Sequence, residues 1–259
     1  MNASSDEPAG PVVVTGGGGA IGRAIAARFA RAPHPVAVLE RDAGACAAAR
    51  AWFASEHLQV TVAEADVGDP ASAAAAIAQV AATLGPPAVL VNNAAVTGVP
   101  AKAPFLETDD ALLARVLGVN IVGPFVCSRE AARHMAARGG GVIINIGSIA
   151  GHAAQRDASA YTMSKAALSG LTRATALELG HLNIRVAQVD PGDIQTAGSD
   201  LLLSQVAAGQ LRSGLTRGPA LGRRGTPDDI AATVFFLCSP EASYISGIQV
   251  VVDGGYLCG

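Results

Sequence analysis

Short apolar runs alternate with alanine-rich amphipathic stretches along most of the 259-residue chain. The apolar runs predict short strands, rich in β-branched residues: Val12–Thr15, Val36–Glu40, Leu58–Val62, Ala88–Asn92, Val142–Gly147, Ile184–Val189 and Ile248–Val252. Such runs are typical of a parallel sheet that is buried on both faces. The stretches between them predict helices near 20–31, 42–55, 70–84, 108–138, 159–180 and 227–238. The alternation therefore predicts an α/β fold, a doubly wound parallel sheet of seven strands with helices on both faces.

Alanine accounts for the apolar composition of the chain. Hydrophobic residues make up 50% of the sequence, but 54 residues are alanine and only 4% are aromatic. The mean hydropathy of +0.37 thus reflects small side chains, and the longest uncharged stretch, 70–101, is interrupted by prolines and asparagines. We therefore expect no membrane span. The formal net charge of −3 predicts no surface for nucleic acid.

No linker divides the chain, so residues 11–259 are predicted to form one domain. Residues 1–10 contain no apolar run and are expected to be a disordered lead-in rather than a signal or transit peptide. Glycines recur through the segment 197–225, which predicts a mobile lid over a site.

The scattered cysteines predict neither disulfides nor a metal site and favour a cytoplasmic location: Cys46, Cys127, Cys238 and Cys258.

A run of glycines follows the first predicted strand and precedes a predicted helix. Glycine permits a tight turn there and lets main-chain N–H groups approach a pyrophosphate at the helix N-terminus. Two registers fit: G-x-G-x-x-G at Gly17, Gly19 and Gly22, or T-G-x-x-x-G-x-G from Thr15, with Ala20 replacing the middle glycine. The context predicts a Rossmann-type dinucleotide site whose loop contacts come from Gly16, Gly19, Ala20, Ile21 and Gly22.

The second predicted strand ends at Glu40. A carboxylate at this place can accept hydrogen bonds from both ribose hydroxyls and would repel a 2′-phosphate, which favours NAD over NADP. The next residue, Arg41, points the other way, because a guanidinium can stack on adenine or bind a 2′-phosphate. Gly19 stands where many NADP-binding proteins have a basic residue, so the loop itself offers nothing to the phosphate. NAD is the predicted cofactor.

Three polar side chains predict the chemistry. Ser148 follows the run Val142–Gly147, and Tyr161 and Lys165 share one face of a predicted helix at i and i+4. An ammonium beside a phenol favours the phenolate, and a serine hydroxyl nearby can donate to a carbonyl oxygen. Together with the glycine loop, this set favours a catalytic site over an exposed helix pair.

With these motifs the sequence resembles the short-chain dehydrogenase/reductase family over roughly residues 11–256. Further motifs that carry the resemblance are Asp66-Val67, Asn92-Asn93-Ala94-Ala95, Asn120, Pro191-Gly192-x-x-x-Thr196 and Val252-Asp253-Gly254-Gly255-Tyr256. Two positions depart from the family pattern, Ala20 and Ala95, where glycine is usual. Both exchanges introduce only a methyl group, so they bear on local backbone conformation and not on the assignment.

The resemblance implies roles for the matching residues. Tyr161 would be the general acid/base, Lys165 would favour its phenolate and hold the nicotinamide ribose, and Ser148 would orient the substrate oxygen. Asn120 would support a proton path to Lys165. The implied cofactor contacts are Asp66 and Val67 at the adenine, Asn93 with Ala94 near the adenosine ribose, and Pro191, Gly192, Ile194 and Thr196 around the nicotinamide. The family also implies a homotetramer or homodimer built on the helices near 108–138 and 159–180.

The candidate substrate residues lie near Ser148 or the Pro-Gly turn: His152, Gln155 and Asp193. His152 is more simply a loop histidine without a chemical role, since tyrosine already supplies acid–base chemistry. Asp193 can bond to main chain within its own turn. The leucines of the lid fit an apolar part of the substrate or the packing of the lid itself.

These features predict an NAD-dependent oxidoreductase that acts on a secondary alcohol, polyol or hydroxylated ring and the matching ketone. The alternative is a 3-oxoacyl-(acyl carrier protein) reductase that uses NADPH and docks its carrier on basic residues. Arg129 and Arg133 could contribute to such a patch, but Leu177 stands where these reductases often have arginine. A catalytically inactive dinucleotide-binding protein is disfavoured, because all four catalytic positions are filled: Asn120, Ser148, Tyr161 and Lys165.

Overall fold

The computed structural model describes residues 10–208 and 218–258. They contain a seven-stranded sheet of order β3-β2-β1-β4-β5-β6-β7 in which every neighbouring pair is parallel. The strands are β1 (Val12–Thr15), β2 (Val36–Glu40), β3 (Val60–Glu64), β4 (Val89–Asn92), β5 (Gly141–Ile146), β6 (Ile184–Pro191) and β7 (Gln249–Val252). The predicted doubly wound parallel sheet is confirmed. Residues 1–9 of the predicted lead-in and 209–217 of the predicted lid lie outside the described residues.

Helices cover both faces of this sheet. They are α1 (Ala20–Arg31), α2 (Ala43–Ser55), α3 (Pro70–Leu84), α4 (Asp110–Leu117), α5 (Gly123–Arg138), α6 (Ser159–Leu179), α7 (Ala197–Ala207) and α8 (Pro227–Cys238). One apolar core joins the sheet to α1, α2 and α8 through side chains such as Phe29, Phe53 and Ile230. The other joins it to α3 and α5 through Ile77 and Met135. The strands read as continuous apolar runs because both of their faces are covered in this way.

The third strand is shifted from its predicted position. It runs over Val60–Glu64 rather than Leu58–Val62, with Val36 opposite Val60 and Glu40 opposite Glu64. This strand lies at the edge of the sheet, and Thr61 and Glu64 are exposed. An edge strand can carry polar residues, so its apolar signal is weaker than that of the inner strands.

The single helix predicted over 108–138 is interrupted. One π-helical turn, Gly118–Val122, separates α4 from α5 and contains the buried Asn120. Pro124 follows in the first turn of α5, where its missing N–H cannot continue the regular ladder. By length and mean hydropathy (1.7) the run Asp110–Arg138 could cross a membrane, yet its apolar face, with Met135, is buried against the sheet, as in a core helix.

The predicted lid segment contains a helix that its glycines obscured. Helix α7 begins with a capping box, in which Ser199 N–H donates to Thr196 Oγ1 at 3.1 Å and Thr196 N–H donates to Ser199 Oγ at 3.0 Å. The sequence signal was therefore present as T-x-x-S, the arrangement that satisfies unpaired N–H groups at a helix start.

The strand order places the site. Strand β1 lies between β2 and β4, so the direction in which strands are added reverses between β1 and β4. Doubly wound sheets bind ligands at this reversal, outside the carboxyl ends of the strands. Thr15 ends β1, Asn92 ends β4 and Pro191 ends β6, while Ser148 follows β5. The sequence motifs therefore meet at the carboxyl-terminal ends of the central strands.

Candidate active site

The glycine loop turns from β1 into α1 with no room for side chains at most of its positions, Gly17 against Val38 among them. Gly16 has a φ of +61°, and a Cβ on it would lie 2.8 Å from the Cα of Ala94. A Cβ on Gly22 would collide with the carbonyl oxygen of Gly16. Ala20, the departure from the usual glycine, is the first residue of α1 and is exposed. Its methyl group is therefore accommodated without a change in the turn.

Replacing Gly22 with alanine should destabilise the fold even without a bound ligand. The new Cβ would press on Gly16 O and lie 2.8 Å from Asn93 Nδ2, so we expect the free energy of unfolding to fall by about 1–3 kcal/mol. Gly19→Ala is the matched control, since its Cβ would come no closer than 3.5 Å to Gly16 O. Denaturant unfolding of both variants checks this, and equal stabilities would contradict it.

Thr15 and Asn93 hold the loop onto the end of β4. The Asn93 side-chain amide donates to Thr15 O and Gly16 O, both at 2.9 Å. Thr15 Oγ1 in turn accepts from the N–H groups of Asn93 and Ala94, both at 3.0 Å. The amide hydrogens of Asn93, predicted to serve the adenosine ribose region, are thus used to fix the loop. Thr15 was not predicted to have this role.

The predicted adenine end of the site lies beyond β2 and β3. Gly18 N–H donates to Glu40 Oε1, which holds this carboxylate beside the glycine loop. The guanidinium of Arg41 is instead 76% exposed and donates to Asp42 Oδ2 at 3.1 Å. Asp66 is exposed, and its Oδ1 accepts from Gly68 N–H at 2.8 Å, while Val67 is buried.

Ser148 begins a tight turn at the end of β5. The turn is one 3₁₀ segment, Ile149–Gly151, and Ser148 Oγ accepts from Ala150 N–H at 3.1 Å. A Cβ on Gly151 would lie 3.0 Å from the carbonyl of Lys165, so the turn packs directly on the backbone of α6. Ser148 itself is only 8% exposed. The turn thus brings the serine hydroxyl beside the helix that carries Tyr161 and Lys165.

Lys165 ties α6 to the same strand. Its Nζ donates to Ile146 O at 2.8 Å and lies 5.8 Å from the ring centroid of Tyr161. Burial lowers the pKa of this ammonium, while the neighbouring Tyr161 and Asp190 oppose the shift. Tyr161 is half-buried on the first turn of α6. The predicted pair therefore lies on one helix face, at the end of β5.

The side chain of Asn120 binds Val96 and Ser164 and makes no hydrogen bond with Lys165. Its Oδ1 accepts from Val96 N–H at 2.8 Å, and its Nδ2 donates to Val96 O at 3.1 Å and to Ser164 Oγ at 3.0 Å. These bonds join the π-helical turn to the segment after β4 and to α6, next to Lys165. Such turns inside helices often mark functional sites.

Beyond β6, an arginine that was not predicted organises the Pro191-Gly192 turn. Arg224 Nε and Nη2 bind both carboxylate oxygens of Asp193 at 2.9 Å, and Nη1 binds Asp200 of α7 at 2.7 Å. Asp193, predicted to contact substrate, is thus the partner of Arg224 and anchors the lid segment. Ile194 is buried, and Thr196 caps α7.

Two of the remaining predictions concern the loop after Ser148. Gln155 is half-buried, and its N–H lies 3.5 Å from Thr162 Oγ1. His152 Nε2 lies 2.7 Å from Oδ2 of Asp190, a fully buried residue of β6. Asp190 was not predicted. A carboxylate directly before Pro191-Gly192, at the end of a strand that is buried over most of its length, is the signal that could have identified it.

A parallel sheet with this strand order, a glycine loop at its reversal and a tyrosine–lysine–serine set beside it define a nicotinamide-dependent oxidoreductase. The family model described as enoyl-(acyl carrier protein) reductase matches residues 18–257. The chain belongs to the short-chain dehydrogenase/reductase family. It is therefore a hydride-transfer oxidoreductase that acts on CH–OH groups.

Several relatives match nearly the whole chain. Galactitol 2-dehydrogenase (L-tagatose-forming) of Cereibacter sphaeroides is 38% identical, over 94% of this chain and 93% of its own. Cis-4-hydroxycyclohexanecarboxylate dehydrogenase of Sinomonas cyclohexanicum is 36% identical, over 94% and 95%. A Beutenbergia cavernae protein, solved with NADP at low occupancy, superimposes with a TM-score of 0.84 at 36% identity, over 96% and 97%. The cofactors of the family are thus NAD or NADP.

Proposed function

We propose that this protein is an NAD-dependent dehydrogenase of secondary alcohols, polyols or hydroxylated rings, with Tyr161 as general acid/base. The observation that carries the proposal is the attachment of α6 to the end of β5. Lys165 Nζ binds Ile146 O at 2.8 Å, and the Ser148 turn packs on the backbone of Lys165. These contacts gather a phenol, an ammonium and a serine hydroxyl at the edge of the sheet that carries the glycine loop.

Ser148, Tyr161 and Lys165 have different roles at the substrate oxygen. Ser148 Oγ already accepts from Ala150 N–H, which leaves its own proton to be donated to that oxygen. Tyr161 takes the alcohol proton in oxidation and returns it in reduction. The Lys165 ammonium favours the phenolate form that removes the proton. Asn120 holds the segment after β4 against α6 next to this lysine.

The loop fits a dinucleotide. The four residues between β1 and α1, 16–19, are all glycine and leave no side chain there, and Gly19 at the N-terminus of α1 is exposed. When bound, the nicotinamide ring supplies the hydride acceptor or donor. Further contacts are proposed from the Asp66-Val67 pair at the adenine and from Pro191, Gly192, Ile194 and Thr196 at the nicotinamide, on the positions that match the family's motifs.

NAD is the proposed cofactor because of the charge beside the loop. Glu40 is held there by Gly18 N–H, where its carboxylate can accept from ribose hydroxyls and repel a 2′-phosphate. Arg41, the residue that could favour NADP, is paired with Asp42 and largely exposed.

Glu40→Ala should narrow the preference for NAD over NADP. We expect the ratio of the two kcat/KM values to fall by about tenfold or more, because a repulsive charge is removed from the 2′ position. Glu64→Ala is a matched control, since Glu64 lies opposite Glu40 at the end of β3. Steady-state kinetics with both cofactors measure the ratio. A ratio that Glu40→Ala leaves unchanged would show that another residue selects the cofactor.

The surface does not favour the carrier-protein alternative. Arg129 and Arg133 are both paired with Glu130, at 2.9 Å and 2.6 Å. Leu177, on the neighbouring helix α6, is exposed and neutral. An acidic carrier would therefore meet two arginines that already share one glutamate, beside a neutral leucine.

One screen separates the candidate activities. The purified protein is assayed with NAD and NADP against secondary alcohols, including galactitol and cis-4-hydroxycyclohexanecarboxylate, and with NADPH against a 3-oxoacyl thioester. Oxidation of an alcohol or hydroxylated ring with NAD is the expected result. A strong NADPH preference with the thioester would establish the alternative, and no turnover of any compound would indicate an inactive dinucleotide-binding protein.

Two apolar surfaces support a homotetramer as the proposed assembly. Phe125 on α5 and Leu177 on α6 are exposed on one side of the sheet, and Phe236 on α8 is exposed on the other side. Two separate self-complementary contacts would generate a tetramer, and one would generate a dimer. Light scattering of the purified protein gives its mass.

The cytoplasm is the proposed location of the protein, because three of the four thiols are free and buried.

A further inference from the structure

A buried carboxylate joins the two ends of the turn that carries Ser148. Asp190 is fully buried at the end of β6. Its Oδ1 accepts from Ser148 N–H at 3.1 Å, and its Oδ2 lies 2.7 Å from His152 Nε2. The 3₁₀ turn Ile149–Gly151 runs between these two contacts. One side chain thus connects to the residues that flank the turn on both sides.

The surroundings of Asp190 supply donors to it. Gln188 Nε2 donates to its Oδ1 at 2.6 Å, while Gln188 Oε1 accepts from Thr172 Oγ1 at 3.2 Å. Thr172 Oγ1 accepts from Asn145 Nδ2 at 2.9 Å, and Asn145 Oδ1 accepts from Asn92 Nδ2 at 2.8 Å. These side chains form one buried polar network that ends at Asp190, in which the Thr172 hydroxyl has a second acceptor, Leu168 O, at 3.0 Å. Because a carboxylate only accepts hydrogen bonds, His152 donates to Asp190 Oδ2 from Nε2–H.

The absence of a side chain at Gly147 makes room for the Asp190 carboxylate. Gly147 lies opposite Asp190, between β5 and the turn, and a Cβ on it would collide with Asp190 Oδ1. It would also lie 2.6 Å from Gln188 Nε2. The glycine therefore leaves the space through which the carboxylate reaches the main chain of Ser148.

We propose that Asp190 is a positioning residue for Ser148, holding the serine turn at Ser148 N–H and at His152 Nε2–H so that the hydroxyl meets the substrate oxygen. This inference rests on the proposed role of Ser148 in the dehydrogenase. His152 accordingly acts through Asp190, as the outer attachment of the turn. The neighbouring charge of Asp190 also favours the protonated form of Lys165, consistent with its opposing the lowered pKa of that lysine.

A double-mutant cycle tests the proposal with NAD and either galactitol or cis-4-hydroxycyclohexanecarboxylate, whichever is oxidised faster. Asp190→Ala should lower kcat by about 10²-fold, as loss of orientation does, and leave NADH affinity unchanged. In a Ser148→Ala background the same change should cost only a small part of that loss, because the group it positions is gone and only the charge of Asp190 near Lys165 is still removed. Equal losses in both backgrounds would overturn the proposal, and so would a loss of NADH affinity that parallels the loss of kcat.

Two further variants separate positioning from general stability. Asp190→Asn keeps an oxygen for Ser148 N–H and should recover a large part of the kcat that Asp190→Ala loses; no recovery would contradict the proposal. Ser169→Ala removes another buried hydroxyl of the same polar cluster, 3.2 Å from Gln188 Nε2, and should leave kcat unchanged. If Ser148→Ala and Tyr161→Phe both retain activity, the proposed function itself fails, which is distinct from failure of the cycle alone.

Hydrogen exchange gives a second measurement that needs no substrate. In Asp190→Ala the main-chain amides of 148–152 should exchange faster than in the parent protein, and in Asp190→Asn less so, because the donor at Ser148 regains an acceptor. Ser169→Ala should leave these amides unaffected. Exchange at the turn that does not change in Asp190→Ala would show that the carboxylate does not hold it.

Discussion

Tyr161→Phe should retain NADH binding and lose turnover by about 10²–10⁴-fold, the range for removal of a general acid/base. The change deletes one oxygen from a half-buried ring on the first turn of α6 and leaves the attachment of Lys165 to Ile146 O in place. Steady-state kinetics of alcohol oxidation give the loss in kcat. Quenching of protein fluorescence by NADH gives the cofactor affinity.

A second tyrosine provides the control for this change. Tyr244 is fully exposed, so Tyr244→Phe removes the same oxygen without touching the site. Its kcat and NADH affinity should match those of the parent protein. Near-normal turnover of Tyr161→Phe would refute the proposed acid/base, and loss of NADH binding together with kcat would mean that the phenol serves the cofactor site instead.

Lys165→Met should also abolish most activity at neutral pH, with a loss of about 10²-fold or more. Methionine preserves the length and apolar stem of the side chain but removes the ammonium, which lies 5.8 Å from the Tyr161 ring centroid. Without that charge the phenolate is no longer favoured, so the pH profile of alcohol oxidation should move to higher pH. Kinetics from pH 6 to 10 measure both effects, and an unshifted profile would contradict this role.

The chain contains only one other lysine, which makes a matched control available. Lys102 Nζ donates to Arg156 O at 2.8 Å, and burial lowers the pKa of this ammonium as it does for Lys165. Lys102→Met therefore removes a half-buried ammonium that also donates to a main-chain carbonyl, outside the Tyr161 face of α6. It should leave kcat and the pH profile close to those of the parent protein. A similar loss in both variants would indicate a general effect of removing buried charge.

Much of the fold could be predicted because its signals are local. Strands β1 and β2 and helices α1, α3 and α8 have the predicted bounds. Apolar strands and capped, alanine-rich helices can be recognised from a few consecutive residues. The errors lie where a local pattern was ambiguous. The exposed residues of β3 blurred its apolar run, and the glycines of the lid segment hid a helix that Thr196 and Ser199 cap.

The prediction of one uninterrupted helix over 108–138 was wrong for a different reason. Both halves have helical periodicity, and apart from Pro124 the π-helical turn at Gly118–Val122 depends on contacts with distant parts of the chain. Asn120 is held by the main chain of Val96 and by Ser164, which are distant in sequence. No pattern within the helix itself encodes those partners.

The sequence by itself determined the class of the protein. The alternation of strands and helices, the glycine loop, and the spacing of Tyr161 and Lys165 are short-range features, and they sufficed for the parallel sheet and the family. Only the tertiary structure decided which groups share partners. It joined Asp193 to Arg224, Asp190 to His152, and Asp190 to the main chain of Ser148, across 31, 38 and 42 residues. A buried carboxylate binds whichever donors the packed strands bring to it, so apart from its near neighbour Gln188 the partners of Asp190 follow from the sheet order.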